Sequence, residues 1–187
     1  MNIIQIFKES FKEIKKTRPM VICGYLLAIS IILGRFAIKI EGLTIITASF
    51  VANSIAGMLF GPIFSSILAA STDVLNHFIA PKGEYFFGWT LDAFLAGIIY
   101  GVFLYDKSYD INNKKQLLIR IILAKAIISI FINLGLGTLW LSMLRGKSYL
   151  ALLLPRIIKE IILIPIHSLI LFYILPVVNK FKKNMNL

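Results

Sequence analysis

Six long apolar stretches dominate the sequence. They occupy residues 20–40, 43–60, 63–80, 86–105, 116–144 and 150–178. A helix needs about 20 predominantly apolar residues to cross a bilayer, so these stretches predict six membrane-spanning helices. Hydrophobic residues make up 58% of the chain and charged residues 16%, whereas soluble proteins average about 45–50% and about 25%. An ordinary soluble domain and a disordered chain are therefore both excluded.

The two ends of the chain differ from its apolar centre. Residues 1–19 alternate apolar and charged positions at helical spacing, which predicts an amphipathic helix lying on the cytoplasmic membrane surface. A plain cytoplasmic extension of the first span is the alternative. No pattern typical of a cleavable signal peptide is present. Residues 179–187 form a basic tail, so one membrane domain, residues 20–178, is expected between two cytoplasmic ends.

Basic residues predict the orientation, because loops rich in lysine and arginine face the cytoplasm. The net charge is +11. The excess is concentrated in the N-terminal arm, in the connection between the fourth and fifth stretches, and in the tail. An even number of spans independently places both termini on one side. We therefore predict an all-α membrane protein, a six-span helix bundle with both termini in the cytoplasm.

With this orientation, polar and large aromatic groups from five spans share one level in the outer half of the bilayer. A charge near mid-bilayer costs roughly 2.5–3.5 kcal/mol on insertion scales, so such groups need partners or a water-filled cavity. We interpret the shared level as a pocket open to the outside. Its candidate substrate-binding residues are Arg35, Asp73, Asn76, His77, Tyr85, Phe86, Trp89, Asp92, Asn133, Thr138, Trp140 and Arg156. The inner half is poorer in such groups, with Lys125 and His167 as the clear cases.

The chemistry of this pocket indicates a class of ligand. Arg35 and Arg156 can each bind a carboxylate through two hydrogen bonds. Asp73 and Asp92 can accept hydrogen bonds from an amino-substituted heterocycle, and the aromatic side chains can enclose a flat ring. A planar, amine-bearing aromatic compound with an anionic tail would satisfy all three groups. Interhelical ion pairs or hydrogen bonds, interfacial tryptophans and a snorkelling His77 are the structural alternatives.

Motifs for nucleotide, metal or hydrolytic chemistry are missing. The sequence has no phosphate-binding loop, no H-E-x-x-H motif and a single cysteine, so we expect neither ATP binding by that route nor a metal site. It also has no G-x-S-x-G motif. We therefore expect no enzyme, no catalytic residue and no cofactor. An intramembrane enzyme and a scaffold without a ligand are the alternatives from other classes.

Three parts of the sequence resemble a known family. They are Leu33-Gly34-Arg35-Phe36, the run YFFGWTLDAFLAGIIYG from Tyr85 to Gly101, and residues 133–141 together with 154–159. These parts are similar to the folate-specific substrate-binding subunits (FolT-type S components) of energy-coupling-factor (ECF) vitamin transporters. The likeness extends over about residues 20–178.

The resemblance implies a function that the residues alone do not. Such a subunit would lie in a bacterial cell membrane, capture folate from outside, and assemble with a membrane coupling subunit and two cytoplasmic ATPases. It would then reorient in the bilayer to release folate inside. Gly24 and Ala28, four residues apart in the first span, would face the coupling subunit. S components for riboflavin or thiamin are the alternatives within transport, although two pocket arginines disfavour thiamin, which is a cation.

Overall fold

The computed structural model describes residues 2–35, 38–40, 43–46, 48–79, 84–105 and 113–184, without the side chains of Arg35, of residues 38–46 and of residues 183–184. The helices are α1 (Ile3–Ile14), α2 (Thr17–Arg35), α3 (Ser49–Phe60), α4 (Pro62–Ile79), α5 (Phe87–Leu104), α6 (Lys114–Ile127), α7 (Gly137–Arg145) and α8 (Tyr149–Asn184). A π-helical segment, Ile128–Leu136, joins α6 to α7. Two short antiparallel strands, β1 (Ile38–Ile40) and β2 (Leu43–Ile46), lie between α2 and α3.

The predicted helical membrane architecture is confirmed. Among the described residues, four helices are long and apolar enough to cross a membrane: Thr17–Gly34, Phe87–Leu104, Lys114–Arg145 and Tyr149–Lys182. The apolar helix α3 has only 12 residues. Helix α4 has 18 residues and carries the polar residues Asp73, Asn76 and His77. The number of crossings and the side on which the termini lie stay predictions.

The structure differs from the sequence prediction between the first two spans. We expected helices over residues 20–40 and 43–60, but α2 ends at Arg35 and α3 begins only at Ser49. The strands between them are rich in isoleucine, a β-branched residue that fits a pleated strand better than a helix. Hydropathy alone could not separate these strands from the spans that they adjoin. At the other end of the chain, α8 continues through the predicted tail to Asn184.

The junction between α3 and α4 is held by the N-terminal amphipathic helix. Gly61 ends α3 with a φ of +86°, a backbone conformation that favours glycine. Ser10 of α1 is fully buried there. Its hydroxyl donates to the carbonyl of Phe60 at 2.7 Å and accepts from the amide of Ile63 at 3.1 Å. Ser10 therefore satisfies backbone groups that the break in the helix leaves open.

Glycines allow α4 and α5 to pack with their backbones nearly in contact. A Cβ on Gly97 would lie 2.5 Å from the carbonyl oxygen of Ser65, whose hydroxyl donates to the carbonyl of Gly97 at 2.6 Å. Beside this pair, α3, α5, α6 and α8 enclose an apolar core that includes Leu104, Leu117, Ile121, Leu171 and Leu175. Close packing through small residues is the usual way for helices to associate in lipid.

Gly101→Ala is expected to destabilise this packing. A Cβ there would lie 2.2 Å from the Cα of Pro62, and backbone cannot move aside as a flexible side chain can. Overpacking typically costs about 1–3 kcal/mol, so the melting temperature of the purified protein should fall. Gly24→Ala is the matched control, because nothing lies within 4 Å of a Cβ at Gly24. Equal melting temperatures for the two variants would contradict the close approach.

Candidate binding site

Asp73 of α4 lies in a chain of hydrogen bonds that reaches the start of α5. Thr90 Oγ1 donates to Asp73 Oδ2 at 2.7 Å, and the Tyr85 hydroxyl lies 2.7 Å from the same Thr90 oxygen. Because threonine has a single hydroxyl proton, which goes to Asp73, Tyr85 is the donor to Thr90. The ring of His77, one turn beyond Asp73, lies 5.2 Å from the ring of Tyr85, centroid to centroid. Three predicted site residues thus meet around Thr90, which the sequence did not single out.

Two tryptophans and Phe86 form an aromatic group beside Asp92. The indole Nε1 of Trp140 donates to Asp92 Oδ1 at 3.1 Å. The ring of Phe86 lies 5.6 Å from that of Trp140 and 6.3 Å from that of Trp89, and it meets both edge-on. Gly88 makes room for this arrangement, since a Cβ there would lie 2.2 Å from the Phe86 ring and 3.0 Å from Trp140.

Arg156 of α8 is held by groups on the π-helical segment and α7. Its Nη1 donates to Thr138 Oγ1 at 2.9 Å and to the backbone carbonyl of Asn133 at 3.1 Å. Thr138 is fully buried and donates to the same carbonyl at 3.3 Å. Asn133 therefore contributes its backbone carbonyl to these contacts. π-Helical segments often occur at functional sites, and this one, of nine residues, directs the carbonyl of Asn133 at the arginine.

Gly137 brings the aromatic group and the arginine together. A Cβ on this residue would lie 3.3 Å from Arg156 Nη1 and 3.5 Å from Asp92 Oδ2. A guanidinium and a carboxylate therefore both approach the position that a Cβ would take at Gly137, and a larger side chain there would contact both groups. Sequence reasoning missed Gly137, because a glycine inside an apolar span usually indicates helix packing.

The side chain of Asn76 packs against the end of α2. The amide of Asn76 packs against Gly34 near the end of α2, where its Nδ2 and Oδ1 lie 3.0 and 3.2 Å from the position of an added Cβ. Ser49 Oγ lies 3.2 Å from the same position. Asn76 is thus placed where α2, α3 and α4 meet, next to the backbone of Arg35. The side chain of Arg35 lies outside the described residues, so its predicted role stays a prediction.

The predicted residues therefore form two described groups that are linked by α5. Thr90 belongs to the first group and Asp92 to the second, two residues further along the helix. The first group contains Asp73, His77 and Tyr85, and the second contains Phe86, Trp89, Asp92, Asn133, Thr138, Trp140 and Arg156. Side chains of opposite charge with aromatic neighbours suit a flat, polar, partly anionic ligand. Binding of a ligand by these residues stays a prediction.

A comparison with protein families agrees with this arrangement. The model of the family described as "ECF transporter, substrate-specific component" matches residues 18–175, which include every residue of both groups. The chain belongs to this family. As an S component it is a transport protein and not an enzyme. The resemblance stated from the sequence is confirmed.

Curated relatives and a solved structure are similar over most of their length. The folate transporter FolT of Clostridium novyi (strain NT) is 36% identical over 158 residues, which are 84% of this chain and 88% of the relative. FolT of Streptococcus mutans serotype c is 30% identical over 158 residues, 84% of each chain. A crystal structure of FolT bound with folic acid is 37% identical to this S component and has a TM-score of 0.71. The similarity covers 84% of this chain and 90% of the chain in that structure.

Proposed function

We propose that this S component captures folate in a pocket between α4, α5, the π-helical segment, α7 and α8. The observation that carries the proposal is the approach of Asp92 and Arg156 to the Cβ position of Gly137, together with the hydrogen bond from Trp140 to Asp92. The names of the curated relatives and the folic acid in the similar crystal structure support folate over other flat vitamins. Riboflavin and thiamin lack a glutamate, so an arginine would have no carboxylate to bind in either.

Each aspartate keeps one oxygen for a ligand. Thr90 occupies Oδ2 of Asp73, and Trp140 occupies Oδ1 of Asp92. In the described part of the chain, the second oxygen of each carboxylate accepts no protein hydrogen bond. The pterin of folate carries an amino group and a ring N–H, which are donors that a carboxylate can accept. We assign the pterin to Asp92, because the aromatic rings that could enclose a flat heterocycle lie beside it.

Arg156 is assigned to the glutamate of folate. Both protons of Nη1 go to Thr138 and to the carbonyl of Asn133. Nη2 and Nε retain three of the five guanidinium donors, enough for a bidentate contact with a carboxylate. The two internal bonds fix the plane of the guanidinium before the ligand arrives, which reduces the entropy lost on binding. Arg35 is a second candidate for the other carboxylate of the glutamate.

The membrane arrangement is part of the same proposal. We place six segments across the bilayer, with both termini in the cytoplasm and the pocket in the outer half. A membrane coupling subunit and two cytoplasmic ATPases would complete the importer. The exposed face of α2 supports a docking role, since Gly24 and Ala28 lie on it with Tyr25 and Ile32, whose exposed fractions are 69% and 57%.

Tryptophan fluorescence tests folate binding directly. Trp89 and Trp140 are the two tryptophans of the chain, and both lie in the proposed pocket, so the intrinsic emission reports on this site. Titration of purified protein with folate should quench the emission to saturation at one folate per chain. Trp140→Phe and Trp89→Phe separate the contributions of the two tryptophans, and Trp140→Phe should remove most of the quenching. Absence of quenching, together with no bound pterin by mass spectrometry, would reject the proposal.

Docking through α2 predicts a separation between binding and transport. Gly24→Leu and Ala28→Leu should leave folate affinity unchanged but reduce folate uptake by the assembled transporter at least several-fold, because small residues permit close helix contact. Ala151→Leu, at an exposed alanine on α8, is the control and should leave uptake unaffected. Normal uptake by both α2 variants would exclude this face as the docking surface.

A further inference from the structure

A second group of buried polar residues lies along α8, along α6 and at the start of the π-helical segment that follows α6. Glu160 follows Arg156 by four residues, and Ser129 precedes Asn133 by four, so each lies one helical turn from a residue of the pocket. Glu160 is buried, with an exposed fraction of 4%. Ser129 Oγ donates to its carboxylate, and Lys159 Nζ lies 3.6 Å from Glu160 Oε1. The charge of Glu160 is thus compensated locally.

Lys125, one further turn along α6, is a buried lysine that shares the single negative charge of Glu160 with Lys159. Its exposed fraction is 4%, and among the described residues it takes part in no ion pair with a carboxylate. Its Nζ lies 5.4 Å from the ring centroid of Phe50 and 6.0 Å from that of Tyr100. Cation–π contacts offset part of the cost of desolvation, but a buried charge is ordinarily paired with an opposite charge.

Other buried polar atoms near Lys125 also have no protein partner. The ring of His167 stacks on Phe50 at 4.0 Å, and in the described part of the chain neither of its nitrogens forms a hydrogen bond. The hydroxyl of Tyr100 has no partner there either. The two residues are 8% and 2% exposed. Asn53 Oδ1, one turn from Phe50 on α3, is a further acceptor without a partner in the described part of the chain, and it can accept a hydrogen bond but supplies no counter-charge.

We propose that Lys125, His167 and Tyr100 form a binding site for a small monovalent anion inside the membrane domain. The group contains two ammonium ions, of Lys125 and Lys159, against the single carboxylate of Glu160. The atoms without partners include those of an imidazole that carries one N–H and of a phenol, which can both donate, and they lie beside the ammonium of Lys125. Buried polar atoms are nearly always hydrogen-bonded. Water alone would satisfy the hydrogen bonds but leave the charge of Lys125 uncompensated, and a cation would be repelled.

Thermal unfolding in a halide series tests this site. The full-length protein, in lipid nanodiscs without folate, is melted in a series of buffers in which sodium bromide replaces sodium gluconate at constant ionic strength. The melting temperature should rise with bromide and saturate. Lys125→Met, which keeps most of the length of the side chain but removes the ammonium, should weaken the apparent bromide affinity at least tenfold. Lys115→Met, at an exposed position of α6, should behave as wild type. A melting temperature independent of bromide, or an unchanged response in Lys125→Met, would overturn the proposal.

Three further measurements complete the test. The first two apply even if Lys125→Met fails to fold, and the third identifies the source of the anion. His167→Phe keeps a ring for stacking but removes both nitrogens, so it should also weaken the bromide response. Anomalous diffraction from wild-type crystals grown in bromide should show a peak beside Lys125 Nζ, and its absence there would contradict the site. If folate abolishes the bromide response and pteroate does not, the anion in the loaded protein is a carboxylate of folate. If neither abolishes it, the anion is inorganic.

Discussion

Replacing Arg156 with alanine is expected to weaken folate binding by roughly 30- to 1,000-fold. Loss of one partner from a buried, hydrogen-bonded charge pair costs about 2–4 kcal/mol, and every 1.4 kcal/mol is about tenfold in affinity. The change also removes the donor to buried Thr138 and one of the two donors to the carbonyl of Asn133. Isothermal titration with folate measures the loss. Arg156→Lys should recover only part of it, because an ammonium cannot make the bidentate contact.

Pteroate, which lacks the glutamate, separates this role from general damage to the pocket. We expect pteroate affinity to change little in Arg156→Ala, since the pterin is assigned to Asp92. Arg18→Ala is the matched control, because Arg18 is an exposed arginine in the first turn of α2, outside both groups of site residues, and its loss should affect neither ligand. Equal losses for folate and pteroate would show that Arg156 supports the structure and does not hold the glutamate.

Asp92→Asn is expected to weaken folate and pteroate alike, by about 1.5–3 kcal/mol. Hydrogen bonds to a charged acceptor contribute roughly this much, and an amide nitrogen would meet the donors of the pterin. Trp140→Phe keeps an aromatic ring but removes the N–H that orients Asp92, so it should cost less, about 0.5–1.5 kcal/mol. Both are measured by titration calorimetry with the two ligands. A loss of affinity for folate but not for pteroate would show that Asp92 does not bind the pterin.

The sequence predicted the long helices well because hydropathy and length determine a membrane span. It could not predict the strands after α2, because Ile38–Ile40 and Leu43–Ile46 are as apolar as the spans that they adjoin. It also could not predict the role of Ser10, which is decided by the break in another helix about 50 residues away. In each case a contact distant in sequence determines the local structure.

The candidate site was predicted as a set of residue types at one depth, and its connections came only from the structure. Trp140 and Asp92 are 48 residues apart, and no local pattern indicates their hydrogen bond. Thr90 and Gly137 are ordinary residues of apolar helices, and they matter only because Asp73 and Arg156 reach them across the bundle. Charged residues were easier to identify, since a charge inside a membrane span requires an explanation.

The central claim is that Asp92, Trp140 and Arg156 surround one folate molecule. Competition binding on purified protein in nanodiscs tests it most directly, with labelled folate displaced by unlabelled folate, pteroate, riboflavin or thiamin. We predict one site per chain, complete displacement by folate, weaker displacement by pteroate, and none by riboflavin or thiamin at the same concentrations. Saturable binding of riboflavin or thiamin in preference to folate, or no folate site at all, would contradict the account.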